Sequence, residues 1–180
     1  MNRIDIATSA FIAFILMIVI FLVSCSNHKN QTHDQNSSNP KETLLNINKN
    51  LVKTEDQQIE DFVARYNWKM KNSRTGLRYL IYEEGNGPSA KLNNIATIEY
   101  SVSLLSGDTC YSSAELGPKV FKIGKGVVES GLEEGILLLK VGDRAKFILP
   151  SRLAFGLIGD GDKIPARATL IYDVKLIELK

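Results

Sequence analysis

Gly131-Leu-Glu-Glu-Gly135, Val141-Gly-Asp-Arg-Ala145, and Ile164-Pro165 followed by Ala168-Thr-Leu-Ile-Tyr-Asp-Val174 fall within one stretch, Phe121 to Lys180. The reading of that stretch decides the fold. Val128, Leu132, Ile136 and Leu139 recur at helical spacing, which predicts a short helix over 128–139, with Gly142 where a C-terminal cap belongs. From Asp143 the pattern changes period: Ala145, Phe147 and Leu149 alternate onto one face of a strand, and Pro150 ends it. Leu170, Tyr172, Val174 and Leu176 alternate again, with Asp173 and Lys175 on the other side. A helix laid across a curved antiparallel sheet buries all three faces at once.

Upstream, Ile95 to Leu105 is the clearest strand, with Ala96, Ile98, Tyr100, Val102 and Leu104 on one face and Thr97, Glu99, Ser101 and Ser103 on the other. Ser106-Gly107-Asp108 turns the chain into Thr109–Ser113. Leu77 to Glu83 is a further strand, closed by Gly85-Asn-Gly-Pro88. The expected class is α+β: about five antiparallel strands wrapped on one short central helix, with an additional amphipathic helix ahead of them. That helix is read over Thr54 to Met70, within a segment 52–75. Thr54 is its cap, Gln57 holds the capping-box position, and Ile59, Phe62, Val63 and Tyr66 form its stripe, with Trp68 in the same seam. It packs on the domain or on a partner, and a dimerising role stays open.

Met1 to Ser24 has the form of a targeting segment: Arg3, then a nearly unbroken apolar run over Ala7 to Val23. Two readings compete. A spanning anchor needs about 20 apolar residues; a signal peptide needs an apolar core of roughly 7–15 residues ending in small residues. Leu22-Val23-Ser24-Cys25 resembles the bacterial lipobox, which makes Cys25 a lipidation site. Either way the domain is exported and tethered, and the missing acidic cluster after Cys25 favours a periplasmic face, at the inner or the outer membrane. Residues 25–51 are polar enough to read as a flexible tether, leaving 77–180 as the main domain.

Composition narrows the chemistry. The net charge of +2 gives no electrostatic basis for nucleic-acid binding. The only two histidines, His28 and His33, precede the folded region, which removes Ser-His-Asp catalysis, Cys-His catalysis and His-ligated zinc from that region. No metal motif, P-loop or dinucleotide fingerprint occurs, and Gly124-Lys-Gly126 reads as a turn. No cofactor is expected. With Cys25 lipidated, Cys110 has no disulfide partner and reads as a small pocket or core thiol.

Tyr100, the Gly107 turn, Ser112-Ser113, Phe121-Lys-Ile-Gly124, Val128 and the blocks quoted above, with Phe155-Gly156, stand in an order that resembles FKBP-type peptidyl-prolyl isomerases over Leu77 to Lys180. The lipobox, Cys110-Tyr-Ser-Ser113, Glu129-Ser-Gly-Leu132 and Gly156-Leu-Ile-Gly-Asp160 look like a narrower group, the gliding-motility-associated FKBP-type lipoproteins of Bacteroidetes. The resemblance implies a pocket walled by Tyr100, Val128, Leu132, Phe155, Ile164 and Tyr172, with the backbone N–H of Glu129 as a carbonyl anchor. Its clients would be proline-containing exported polypeptides, those of the gliding apparatus among them. Four peripheral positions depart from the family pattern. Cys110-Tyr111 replaces Phe-Asp, Lys119 falls where an aromatic is expected, and Asp160 replaces a polar or aromatic residue. Leu132 stands for Trp and Phe155 for Tyr, changes that keep the pocket apolar; the changed pocket as a whole implies weaker macrolide binding than in the drug-binding members. Taken singly, Tyr100 and Tyr172 read rather as core residues on alternating strands, and the family pattern tips them to the pocket. The alternative function is a catalytically weak FKBP-fold chaperone or binding module.

Overall fold

The structure is a computed structural model and describes residues 40–180. The expected signal segment 1–24, Cys25, His28, His33 and the first part of the tether lie outside the described residues. The chain runs α1 (Pro40–Arg65), β1 (Lys71–Asn72), β2 (Arg78–Glu83), β3 (Ile95–Leu104), β4 (Thr109–Ser112), α2 (Ser113–Leu116), β5 (Lys119–Lys122), α3 (Ser130–Ile136), β6 (Arg144–Leu149), a 3₁₀ turn (Ser151–Leu153) and β7 (Leu170–Leu179). Seven strands form one antiparallel sheet in the order β1-β2-β6-β7-β3-β4, with β5 paired to β3.

The period-2 faces produce this sheet directly. Ala96, Ile98, Tyr100 and Val102 of β3 are buried together with Ala145, Phe147 and Leu149 of β6 and Leu170, Tyr172, Val174 and Leu176 of β7. Register places Tyr172 between Val102 on one side and Phe147 on the other. Leu132 and Ile136 of α3 are wholly buried in the same core. The helix comes this close because Gly135 has no side chain: a Cβ there would lie 2.7 Å from the Phe147 ring. In an exposed helix a Gly→Ala change gains about 1 kcal/mol. Here overpacking outweighs that gain, and Gly135→Ala is expected to destabilise the protein by roughly 1–3 kcal/mol in urea unfolding. A raised midpoint would contradict the packing.

The other face of the sheet is covered as well. Ile148 and Ile171, paired across β6 and β7, pack with Ile59 and Phe62 of α1, with Val63, Trp68, Met70 and Leu105 around them. Polar contacts fix the same helix. Glu55 accepts hydrogen bonds from the Ser151 N–H at 2.6 Å and the Thr169 hydroxyl at 2.8 Å, and buried Arg78 reaches Asp56 at 3.2 Å and Glu60 at 2.9 Å.

Several boundaries differ from expectation. The sheet has seven strands rather than about five. β1 is two exposed residues and β5 buries only Phe121, so neither carries a strand-length apolar face. α1 starts at Pro40, not Thr54, so residues 40–51 of the expected tether are helical. It stops at Arg65, short of Met70, where Asn67 adopts a positive φ of 52°. Thr54 is no cap: its hydroxyl donates to the Asn50 carbonyl one turn back, and Gln57 hydrogen-bonds Asp61. Tyr66 of the expected stripe is half exposed and stacks on Phe62 and Trp68 instead. α3 covers 130–136 rather than 128–139, so Gly142 is not its cap. Gly142 sits at φ 97° in the turn before β6, and its N–H donates to the Leu176 carbonyl. Two short elements, α2 and the 3₁₀ turn, add to the single central helix expected.

Candidate functional site

Tyr100, Val102, Tyr111, Leu116, Lys119, Glu129, Phe155, Asp160 and Tyr172 line one cleft of about 330 Å³. Each wall follows from an element just described. Tyr100 and Val102 are inward positions of β3, and Tyr172 is their neighbour on β7. Tyr111 comes from β4, Leu116 from α2 and Lys119 from the first residue of β5. Glu129 stands at the N-terminal boundary of α3, and Phe155 and Asp160 belong to the loop between the 3₁₀ turn and β7.

Tyr100 and Tyr172 are mostly buried yet border the cleft, so the core and pocket readings both hold for them. The Tyr100 N–H donates to the Ser113 hydroxyl at 3.1 Å, which ties β3 to the start of α2. Burial first, and then the Glu129 charge, raise both phenol pKa values above the ordinary range, so both hydroxyls stay protonated. The Glu129 carbonyl accepts the first two helix N–H bonds, from Leu132 at 2.9 Å and Glu133 at 3.0 Å. Leu132 and Ile164 are buried in the core and are not among the residues that line the cleft, and Val128 is half-buried and packs on the core.

The loop that carries Phe155 is held by Asp160. Its carboxylate accepts hydrogen bonds from the Asp162 N–H at 2.9 Å, the Ile164 N–H at 2.8 Å and the Tyr111 hydroxyl at 2.5 Å. Desolvation alone would raise the Asp160 pKa, but the Tyr111 hydroxyl and these N–H groups outweigh it and hold the carboxyl below its usual value. The same bond, more than desolvation, pushes the Tyr111 phenol up to about 12. A depressed carboxyl stabilises the loop above its unfolded pKa and loses that contribution as pH falls through the folded value. A raised phenol stabilises it below the unfolded pKa and loses that contribution as pH rises through about 12. The latch is therefore intact through neutral pH and opens at both extremes. Tyr111→Phe is expected to raise the Asp160 pKa measured by carbon NMR titration; an unchanged value would contradict the latch.

Cys110 is buried, its thiol directed at the Lys163 carbonyl at 3.7 Å, and burial followed by the Asp160 charge raises its pKa. Lys119 stands 5.0 Å from the centre of the Tyr100 ring, a cation–π contact where the family resemblance implied an aromatic. Val102 and Leu116 were not among the expected site residues. Val102 was legible, two residues from Tyr100 on the same face, whereas Leu116 is an exposed residue of a four-residue helix and carried no periodic signal. Among the described residues no cluster of His, Cys, Asp and Glu is fit to hold a metal, and no helix is long and apolar enough to cross a membrane.

A family model described as FKBP-type peptidyl-prolyl cis-trans isomerase matches residues 87–177. A probable FKBP-type peptidyl-prolyl cis-trans isomerase FkpA of Neisseria meningitidis serogroup B is 40% identical over 111 residues, which cover 61% of this chain and 40% of that protein. FK506-binding protein 2 of Dictyostelium discoideum is 47% identical over 81 residues, 44% of this chain and 61% of its own. Among solved structures, FkpA from Escherichia coli aligns with a TM-score of 0.63 at 29% identity, over 78% of this chain and 66% of that one. AtFKBP13 aligns with a TM-score of 0.60 at 28% identity, over 62% and 99%. The chain spans 40% and 41% of the two bacterial FkpA proteins of Neisseria meningitidis and Aeromonas hydrophila.

Proposed function

We propose, from the premise that this chain belongs to the FKBP-type peptidyl-prolyl cis-trans isomerase family, that it accelerates rotation about Xaa–Pro peptide bonds. The observation that carries this reading is the meeting of Tyr100, Phe155 and Tyr172, from three separate elements, at one cleft. Rotation about a peptide bond crosses a barrier of roughly 18–20 kcal/mol set by amide resonance, and before proline it takes tens to hundreds of seconds uncatalysed. No bond to a nucleophile forms, so a folded region without histidine is competent for it. The twisted amide has less charge separation than the planar one, and apolar aromatic walls therefore favour the transition state over the ground state. The Glu129 N–H, just ahead of the first turn of α3, serves as the anchor for a substrate carbonyl. Val128, Leu132 and Ile164 belong to the same packed core as Tyr100, Phe155 and Tyr172.

Exchange NMR on short Xaa–Pro peptides tests this directly: faster cis/trans exchange with the folded chain is expected. A folded chain without any effect would leave the second reading, an FKBP-fold binding module. The cation over Tyr100 and the Tyr111–Asp160 pair, which make part of the cleft polar, favour that alternative. The finer reading is a lipoprotein held at the cell envelope through Cys25, facing the periplasm and acting on exported polypeptides, including those of the gliding machinery. The anchor rests on Leu22-Val23-Ser24-Cys25, and the gliding assignment on that sequence together with Cys110-Tyr-Ser-Ser113, Glu129-Ser-Gly-Leu132 and Gly156-Leu-Ile-Gly-Asp160. Fatty-acid labelling that persists in Cys25→Ser would sink it.

A further inference from the structure

The carboxylate of Glu129 faces the Tyr172 hydroxyl, whose pKa it raises, after burial, by charge and hydrogen bonding, but it caps no helix N–H. It lines the cleft beside Tyr100, Phe155 and Tyr172, and its Oε2 is buried without a hydrogen-bond partner among the described residues. Glu129 helps to start α3 through its carbonyl, so the side chain is not needed for capping. Glu133 is the acid that serves the preceding turn, accepting from the N–H groups of Lys125 at 3.2 Å and Gly126 at 3.0 Å. Lys119, the cation that lines the cleft, is engaged with the Tyr100 ring, and none of the ion pairs among the described residues joins it to Glu129. Asp160 adds a second negative group to the same cleft, already bonded by Tyr111.

A buried carboxylate oxygen left unpaired is costly, and it also works against the apolar character that favours a twisted amide. Both costs disappear when a ligand brings a cation. The Glu129 backbone is the expected anchor for a substrate carbonyl, so its side chain reaches the residue adjoining the proline. A lysine or arginine there has the length and the donors to meet Oε2.

We propose that the Glu129 carboxylate is a specificity-determining group that selects Xaa–Pro segments in which the residue before proline is lysine or arginine. This rests on the isomerase reading of the cleft, and the test separates the two. The full chain is assayed by exchange NMR, at low ionic strength, on otherwise identical peptides with Lys, Arg, Leu or Glu before proline. The expected kcat/KM for Lys–Pro and Arg–Pro exceeds that for Glu–Pro by about tenfold, as a charge-assisted hydrogen bond warrants, with Leu–Pro between. In Glu129→Gln the Lys-to-Glu ratio is expected to fall to within about twofold, whatever happens to the absolute rates. Should that variant not fold, the same ratio in the native chain is expected to fall as salt is raised. Leu–Pro turnover without a charge preference, or a preference that survives in Glu129→Gln or is insensitive to salt, would overturn this inference alone. A folded chain that turns over none of the four peptides would overturn the isomerase reading and this one with it.

Discussion

Phe155→Ala is expected to lower kcat/KM for Xaa–Pro isomerisation by roughly ten- to a hundredfold while the protein remains folded. The ring is half-buried at the cleft, so a bound proline completes its burial, and burying a Phe side chain is worth about 1.5–3 kcal/mol. If most of that contact is made in the transition state, each 1.36 kcal/mol lost is about a tenfold loss in rate. The cost to folding is smaller, because Phe155 sits in a loop and packs at the edge of the core rather than within it. Unchanged kcat/KM with an unchanged melting temperature would remove Phe155 from the catalytic wall. A rise in KM alone would assign it to uniform binding.

Ile59→Ala is expected to cost about 2–5 kcal/mol of unfolding free energy, the usual range for a fully buried Ile truncated to Ala. Ile59 is 0% exposed and meets Ile148 and Ile171 on the face of the sheet opposite the cleft. Leu51→Ala, on the exposed part of the same helix, is expected to change stability by no more than about 0.5 kcal/mol. The contrast is the informative result. Equal, small effects from both would mean that α1 contributes no stability to the domain, and the Glu55 and Arg78 contacts would then be expected to be dispensable too.

What the sequence made legible follows the strength of its periodicity. β3, β6 and β7 carry long alternations, and their buried faces are the residues the pattern names. Ile148 and Ile171 were harder to place, because the alternation assigned them to the outward face. That face is buried by α1, whose stripe of Ile59 and Phe62 was read without its partner. Termini were the weakest point: Thr54 looked like a cap because a threonine precedes the apolar stripe, yet the helix runs a further fourteen residues towards the N-terminus, from Thr54 back to Pro40. Leu44, Ile47 and Leu51 recur there at helical spacing, but they are exposed and stand among the Asn and Lys residues that made the segment read as a tether. At the site, Tyr100, Phe155 and Tyr172 came from the family pattern together with strand alternation. The bond between Tyr111 and Asp160 was not visible, since these residues are 49 apart in sequence, and only the fold brings them together. Nor was the unpartnered Oε2 of Glu129, which is a property of the packed cleft and not of the motif around it.

The most direct test of the central claim is two-dimensional exchange NMR of a Leu–Pro peptide, with and without the full chain at substoichiometric concentration. Exchange cross-peaks on a subsecond timescale, lost in Tyr100→Ala, are the result expected of a prolyl isomerase whose cleft is walled by Tyr100, Phe155 and Tyr172. Exchange that stays at the uncatalysed tens of seconds, in the presence of chain whose amide spectrum is that of a folded protein, would contradict it.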